Sequence, residues 1–253
     1  MSFGEQKPEG HTLLGGLDGL VGNHKNAAFL KQGLERGKLA HAYLFVGPTG
    51  VGKKTAAMAL CQAFNCQERP LVGCGECPVC SRIARGLHPD FVVVSPEKRW
   101  ILVKQIRELE ARTELGPYEG QALVVVLAPA DAMNLAAANA LLKTLEEPRP
   151  GVHFVLTAAG EHRLPATIRS RCGLLRFGPV EEGLLGGFIG DTLGLPSERA
   201  AVVARMAEGS LGRAMELAQA EDKAEMDTRV VEVLLGVGQR PSAGKLFELG
   251  EEL

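Results

Sequence analysis

No stretch of this 253-residue chain is apolar for long enough to cross a bilayer; the longest apolar run, Ala122 to Ala130, falls well short of the roughly 20 residues a spanning helix needs. Met1 to Gly10 is polar and lacks the apolar core of a signal peptide. A cytoplasmic protein with no membrane partner is expected. An excess of positive charge is also missing. With 28 Lys and Arg against 30 Asp and Glu the formal net charge is −2, so any contact with nucleic acid has to come from a local basic patch. Internal repeats and low-complexity tracts are absent. What remains is an ordinary globular composition, 45% apolar, with room for one large domain and a small one. In a reducing compartment its six cysteines are poor disulfide candidates, which directs four of them to other chemistry.

Two further absences fall inside a motif. From Gly47 to Thr55 the chain reads Gly-Pro-Thr-Gly-Val-Gly-Lys-Lys-Thr, a phosphate-binding loop of the form G-x-x-x-x-G-K-[ST] up to its last position. Gly50 and Gly52 permit positive φ, so successive backbone N–H groups can converge on phosphates at a helix N-terminus. Lys53 then reaches the β- and γ-phosphates. The next residue should ligate Mg2+ through a hydroxyl, but it is Lys54, which brings a charge and no oxygen. Thr55 is turned away by roughly 100° about the helix. Hydrolysis also needs an acidic pair at the end of a neighbouring strand, to hold the metal's water shell and to position the attacking water. The strand in question ends Leu127-Ala128-Pro129-Ala130; Asp131 is the nearest carboxylate and is expected to cap the following helix or face solvent. These residues predict an ATPase fold without hydrolysis. Binding of ATP or ADP by Gly47, Gly50, Gly52, Lys53, Lys54 and Thr55 is left open, with Mg2+ disfavoured.

Apolar periodicity predicts helices over Leu20–Lys38, Lys53–Phe64, Val103–Thr113 and Asn134–Glu147, the last stopped by Pro148. Short apolar runs at Ala42–Val46, Phe91–Val94, Leu123–Leu127, His153–Thr157 and Leu174–Phe177 read as strands. Their alternation with helices predicts an α/β fold with a parallel sheet. Beyond Pro179 only helical patterns continue, with a glycine-marked turn at Gly209 to Gly212, so a domain boundary is expected near residue 178.

Cys66, Cys74, Cys77 and Cys80 follow the spacing C-x7-C-x2-C-x2-C, which can present four thiolates to a tetrahedral Zn2+. Four protein ligands leave no open position, so such a metal would be structural. The plain alternative is four reduced surface thiols. Cys61 reads as a buried apolar residue. Ser170-Arg171-Cys172 lies on a loop between two predicted strands, where an arginine can reach a neighbouring subunit's γ-phosphate or form a surface salt bridge. His41, His88 and His153 lack partners in local sequence and read as packing or capping residues.

Taken together, His41-Ala-Tyr-Leu-Phe45, the cysteine set, His88-Pro-Asp90, Asn139-Ala-Leu-Leu-Lys-Thr-Leu-Glu-Glu-Pro148 and Ile168-Arg-Ser-Arg-Cys172 resemble the bacterial DNA polymerase III clamp loader, a group of AAA+ proteins, over about residues 18 to 215. Within it, the Gly-Lys-Lys-Thr ending, the stretch Ala130-Asp-Ala-Met-Asn134 and the missing acids are more similar to the delta-prime type than to the gamma/tau motor type. The resemblance implies a RecA-like P-loop domain at 1–178 with a zinc module at 65–82, a helical lid at 179–221, and a helical collar of which 222–253 would be an incomplete start, whether by a shortened member or a chain recorded short. It implies zinc ligation by Cys66, Cys74, Cys77 and Cys80, and an arginine finger at Arg171 acting in trans. By the same match the family's acids fall at Ala128 and Pro129, its first sensor in Thr157-Ala-Ala159, and its second one residue before Arg213. The function so implied is a non-hydrolysing stator that works with gamma/tau and delta subunits, a sliding clamp and primed DNA. An active gamma/tau-type ATPase and an AAA+ relic serving as an interaction scaffold stand as alternatives.

Overall fold

The computed structural model describes residues 15–219. A 3-10 turn, Gly16–Gly19, precedes helix α1 (His24–Glu35), strand β1 (Ala42–Val46) and helix α2 (Lys53–Asn65). Helix α3 (Pro78–Ala84) lies inside the cysteine insert. Then follow β2 (Phe91–Val94), α4 (Val103–Glu114), β3 (Leu123–Leu127), α5 (Leu135–Glu146), β4 (Val152–Ala158), the single turn α6 (Ala166–Arg169) and β5 (Gly173–Arg176). Helices α7 (Glu182–Leu193) and α8 (Ser197–Met206) complete the named elements, and residues 211–219 are also helical.

The five strands form one sheet in the order β2-β3-β4-β1-β5, every pairing parallel. Burial follows position: β1 and β3, with neighbours on both sides and helices on both faces, are buried throughout, while the edge strand β5 exposes alternate residues. Successive side chains point to opposite faces. Leu44, Val125, Phe154 and Leu156 pack with Ile106 and Leu109 of α4 and Leu141 and Leu145 of α5. Tyr43, Phe45, Val124 and Val155 pack with Leu30 of α1 and Ala57 and Leu60 of α2. A separate core forms further along the chain from Val180, Leu185, Ile189, Val203, Ala207, Ala214 and Ala218.

Every strand expected from sequence is present, with ends moved by one residue at most. The first helix is shorter than its apolar pattern at both ends, because Gly22, at φ 78°, breaks the chain before His24 and Gly37, at φ 61°, follows its end at Glu35. Helix α3 carried no helical period; it is set by the local signals Cys77 at the N-cap, whose sulfur accepts from Cys80 N–H, and Pro78 at the first helical position. The collar expected at 222–253, and the last two residues of the lid range, lie outside the described residues. Among the described residues no helix is long and apolar enough to cross a membrane.

Candidate functional site

The glycine loop leaves the buried end of β1 and turns directly into α2, with Gly52 as N-cap and Lys53 as first helical residue. Gly50 and Gly52 sit at φ 79° and 93°, in the left-handed region their motif requires. Two positions are also fixed by close approach. A Cβ on Gly47 would lie 2.1 Å from the Phe177 carbonyl oxygen, and one on Gly50 would lie 2.0 Å from Ser210 Oγ. Gly212 N–H donates to Gly50 O at 3.1 Å, so the turn at 209–212 rests on the phosphate loop. Asn23 supports the loop from the other side, its side-chain N–H donating to Val51 O at 3.2 Å.

Lys53 Nζ donates to the carbonyls of Gly47 and Pro48, each at 2.6 Å. Burial lowers its pKa below the ordinary value, against the opposing pull of the Asp131 carboxylate. Lys54 points into solvent from the first turn of α2, and Thr55 is half-buried. At the end of β3, Ala128 and Pro129 offer no oxygen from a side chain. Asp131, expected to face solvent or cap the next helix, has a side chain only 12% exposed and does not cap. Asn134 does, accepting from Ala137 N–H at 2.8 Å, while Asp131 stands in a 3-10 turn three residues earlier, pairs with Arg163 at 3.4 Å and keeps its other oxygen buried without a partner. Thr157 Oγ1 donates to Leu127 O at 3.4 Å, tying β4 to the end of β3. Arg213 pairs with Glu208 at 3.6 Å.

The other end of α2 carries the cysteines. Cys66 is its C-cap, and Cys66, Cys74, Cys77 and Cys80 bring their sulfurs within 4.8 Å of one another. The sulfur of Cys66 is 3.6 Å from that of Cys74 and 3.9 Å from that of Cys77, and Cys74 is 3.9 Å from Cys80. A tetrahedron with Zn–S bonds of about 2.3 Å has edges of about 3.8 Å, so the set fits a metal ion of that kind. Backbone N–H groups of Arg69 and Cys74 point at Cys66 Sγ, that of Cys77 at Cys74 Sγ and that of Cys80 at Cys77 Sγ, all within 3.3–3.4 Å. Such donors favour the thiolate form a metal needs. Against the opposing effect of burial, the N–H groups of Cys77 and Glu76 bring Cys74 down to about 7, whereas burial outweighs the donors at Cys77 and Cys80 and pushes both thiols up. Cys61 is outside the group, fully buried one turn inside α2, and burial pushes its thiol up.

Arg171 lies in the turn between α6 and β5. One guanidinium nitrogen donates to Thr167 O at 2.8 Å and the other pairs with Glu146 at the end of α5. His41 contacts Leu145 O at 2.9 Å and His153 stacks on Phe64 with centroids 4.3 Å apart, both packing roles. His88 does more. Burial keeps its ring below the ordinary pKa and thus neutral at pH 7, with Nδ1 accepting from Asp90 N–H at 3.1 Å and Nε2 3.1 Å from Glu119.

Sequence reasoning missed the buried polar centre beside it. Asp90, fully buried, accepts N–H groups of Tyr118, Glu119 and Gly120 at 2.6, 3.0 and 2.8 Å and pairs with Arg112 at 3.0 Å. Asn65, the last residue of α2, accepts from Gln121 and Ala122 N–H at 2.7 and 3.0 Å. Glu119 in turn pairs with Arg82 of α3 at 2.7 Å, so the loop before β3 joins the cysteine insert to the sheet. Only the polar triplet His88-Pro-Asp90 ahead of a strand hinted at this in sequence.

A family model described as DNA polymerase III, delta subunit, matches residues 22–181. The chain is 44% identical over 140 residues to DNA polymerase III subunit delta' of Pseudomonas aeruginosa, covering 54% of this chain and 43% of that one. It is 34% identical over 218 residues to subunit delta' of Bacillus subtilis, covering 86% and 66%. To subunit tau of Escherichia coli it is 32% identical over 238 residues, covering 90% and 37%. The chain therefore spans less than two thirds of the length of these relatives. Among solved structures, the Thermotoga maritima RuvB Holliday junction branch migration motor superposes with a TM-score of 0.57 at 19% identity, over 80% of this chain and 62% of that one. A gamma subunit-related protein from the same organism gives 0.50 at 20% identity, over 78% and 61%. At such identities the likeness is one of fold: a parallel sheet flanked by helices.

Proposed function

The chain belongs to the DNA polymerase III delta-subunit family, with delta-prime and tau clamp-loader subunits among its relatives, and from that premise we propose that it is a delta-prime-type stator. In this reading it does not hydrolyse ATP itself. It works in the cytoplasm with gamma/tau and delta subunits and lends Arg171 to a neighbouring ATP site while a sliding clamp is loaded onto primed DNA.

The observation that carries the reading is the chemistry missing around an intact loop. Lys54 occupies the position of the magnesium hydroxyl, and Ala128 and Pro129 stand where the acidic pair belongs. Phosphoryl transfer relies on metal and preorganised charge to stabilise its transition state, so a site lacking both cannot turn over at a motor's rate. The backbone cradle and Lys53 keep the means to hold phosphates, and ATP or ADP bound there would depend little on Mg2+. Cys66, Cys74, Cys77 and Cys80 would hold Zn2+, which supplies a cross-link in an insert with little apolar core and takes no part in chemistry.

One observation favours a second reading, an active motor: the loop from Gly47 to Lys53 keeps the motif's left-handed glycines and its lysine. ATP turnover of the purified full protein separates the two. No magnesium-dependent hydrolysis above background is expected. Turnover at a motor's rate that Lys53→Ala abolishes would favour the motor. In the assembled loader, Arg171→Ala is expected to reduce hydrolysis at the one site it faces by on the order of 10³, leaving folding and metal content intact.

A further inference from the structure

Arg171 is already holding an anion. One edge of its guanidinium fork is anchored to neutral oxygens, Thr167 O at 2.8 Å and Ser170 Oγ at 3.3 Å, both on its own turn. The other edge is paired with the Glu146 carboxylate, on a different element. We infer that Glu146 is a positioning residue for the proposed finger: its carboxylate stands in for a phosphate oxygen and is exchanged for the γ-phosphate when a neighbouring subunit docks. The inference rests on the finger role proposed above.

Three features support an exchangeable placeholder over an ordinary surface ion pair. First, both partners have fixed bases. Leu145, beside Glu146, is 1% exposed and its carbonyl is held by His41, so the end of α5 is tied to the start of β1; Ile168, inside the turn that carries Arg171, is fully buried. Second, a carboxylate in the last turn of a helix is electrostatically disfavoured by the macrodipole, so Glu146 gains nothing from α5 itself and is accounted for by its partner. Third, the pair is open to water, with side-chain exposures of 31% and 51%, so a competing oxyanion can reach it. The contact is one N–H given to one carboxylate oxygen, with Nε buried and unpartnered, and the same charged N–H can be given to a phosphate oxygen, which makes the swap geometrically conservative. Because the anchor to Thr167 is separate, the guanidinium keeps its orientation when the carboxylate leaves.

The consequence is a split between kinetic constants. In a reconstituted loader containing the full protein, Glu146→Gln removes the competing charge and leaves the anchor, so the ATP KM at the facing site should fall by about two- to five-fold, the size of one exposed ion pair, with kcat unchanged. Glu146→Asp should return KM toward the starting value. Glu147→Gln, one position further along and also exposed, should do nothing. In an Arg171→Ala background Glu146→Gln should have no effect. If Arg171→Ala suppresses hydrolysis but Glu146→Gln leaves KM untouched, or lowers kcat instead, the finger stands and the placeholder is overturned. If Arg171→Ala leaves hydrolysis at the starting rate, the finger itself is wrong and this inference falls with it. A direct check on the isolated protein is the NMR signature of hindered Arg171 guanidinium rotation, expected with Glu146 and lost in Glu146→Gln; free rotation in both would remove the contact on which the inference depends.

Discussion

Helix α2 has a candidate site at each end, and the two ends are complete in opposite ways. At its N-terminus the backbone cradle for phosphate is present and the side chains for metal chemistry are not. At its C-terminus the side-chain set is complete, and the surrounding backbone is held by that set with a few hydrogen bonds beside it, Leu17 N–H to Val72 O and Leu71 N–H to Ala63 O at 2.9 Å and Gln62 Nε2 to Cys80 O at 3.0 Å. The difference is one of what supports each shape. The glycine loop is wedged among neighbours, Gly47 against Phe177 O, Gly50 against the turn at 209–212, and Val51 held by Asn23. Its geometry can therefore outlast its chemistry. The insert after Cys66 begins with five exposed residues, 67–71, and between them and Ile83 buries only Gly73, Gly75 and Cys80.

The comparison breaks most visibly by removing the metal proposed for the C-terminal end. Cys77→Ser takes away a ligand but keeps an N-cap on α3, since a serine hydroxyl can accept from the Cys80 N–H, and the remaining three sulfurs leave a tetrahedral ion underligated. One Zn2+ per chain is expected by elemental analysis, falling to substoichiometric content in the variant. Structural zinc contributes on the order of 10 kcal/mol in small modules, so amide protection across 66–84 should collapse while the sheet stays folded. Unchanged exchange in a metal-free protein would mean that the insert is held by other contacts.

Next in size is the polar centre that ties the insert to the sheet. Asp90→Asn takes away the carboxylate partner of Arg112, which keeps only its bonds to Gly116 O and Pro89 O, and turns an amide group toward N–H donors, a change worth about 3 kcal/mol, the low end for buried pairs. The sign with pH follows from the donors. Although burial opposes it, the N–H groups of Tyr118, Glu119 and Gly120 hold the Asp90 carboxyl below its ordinary 3.8. A depressed carboxylate contributes stability that is fully present above its unfolded value and is lost as pH falls through the folded one. Denaturant titrations should show this loss below about pH 4 in the native protein and a flatter acid limb in Asp90→Asn. Equal acid limbs would assign the loss to other carboxylates.

How much of this was legible in sequence depended on whether the signal was local. The strands, α2, α5 and the phosphate loop are written in contiguous periodicity, turn glycines and the stop at Pro148, and they appear where those signals fall. The four cysteines are near neighbours, so spacing alone foretold their convergence. Asp90 meets loop 118–120 and Arg112, and Arg171 meets Glu146, across 22 to 30 residues of intervening chain, and no local pattern reports such pairings. Asp131 was misread for a related reason. Proximity to the helix suggested a cap, but the 3-10 turn at Ala130–Ala132 carries it out of reach and leaves that job to Asn134.

The smallest expected effect, and the sharpest test of the comparison, is Lys54→Thr at the N-terminal end of α2. It restores the motif's hydroxyl at an exposed position. A cation in the first turn is disfavoured by the helix dipole, and threonine is a poorer helix former than lysine, so the two changes nearly cancel and stability should move by less than about 0.5 kcal/mol. Nucleotide affinity should become responsive to Mg2+, because a hydroxyl now stands at the motif's magnesium position, yet hydrolysis should stay at background, because Ala128 and Pro129 still provide no carboxylate. Paired titrations of ADP with and without Mg2+, beside a turnover assay, read both outcomes. Hydrolysis regained by Lys54→Thr alone would show that a carboxylate outside the motif's usual place can serve. The candidate would be Asp131, whose unpartnered oxygen lies buried and whose charge already acts on Lys53. Loss of that activity in Lys54→Thr combined with Asp131→Asn would then move the boundary between the two ends of α2: the N-terminal site would lack one oxygen, not three.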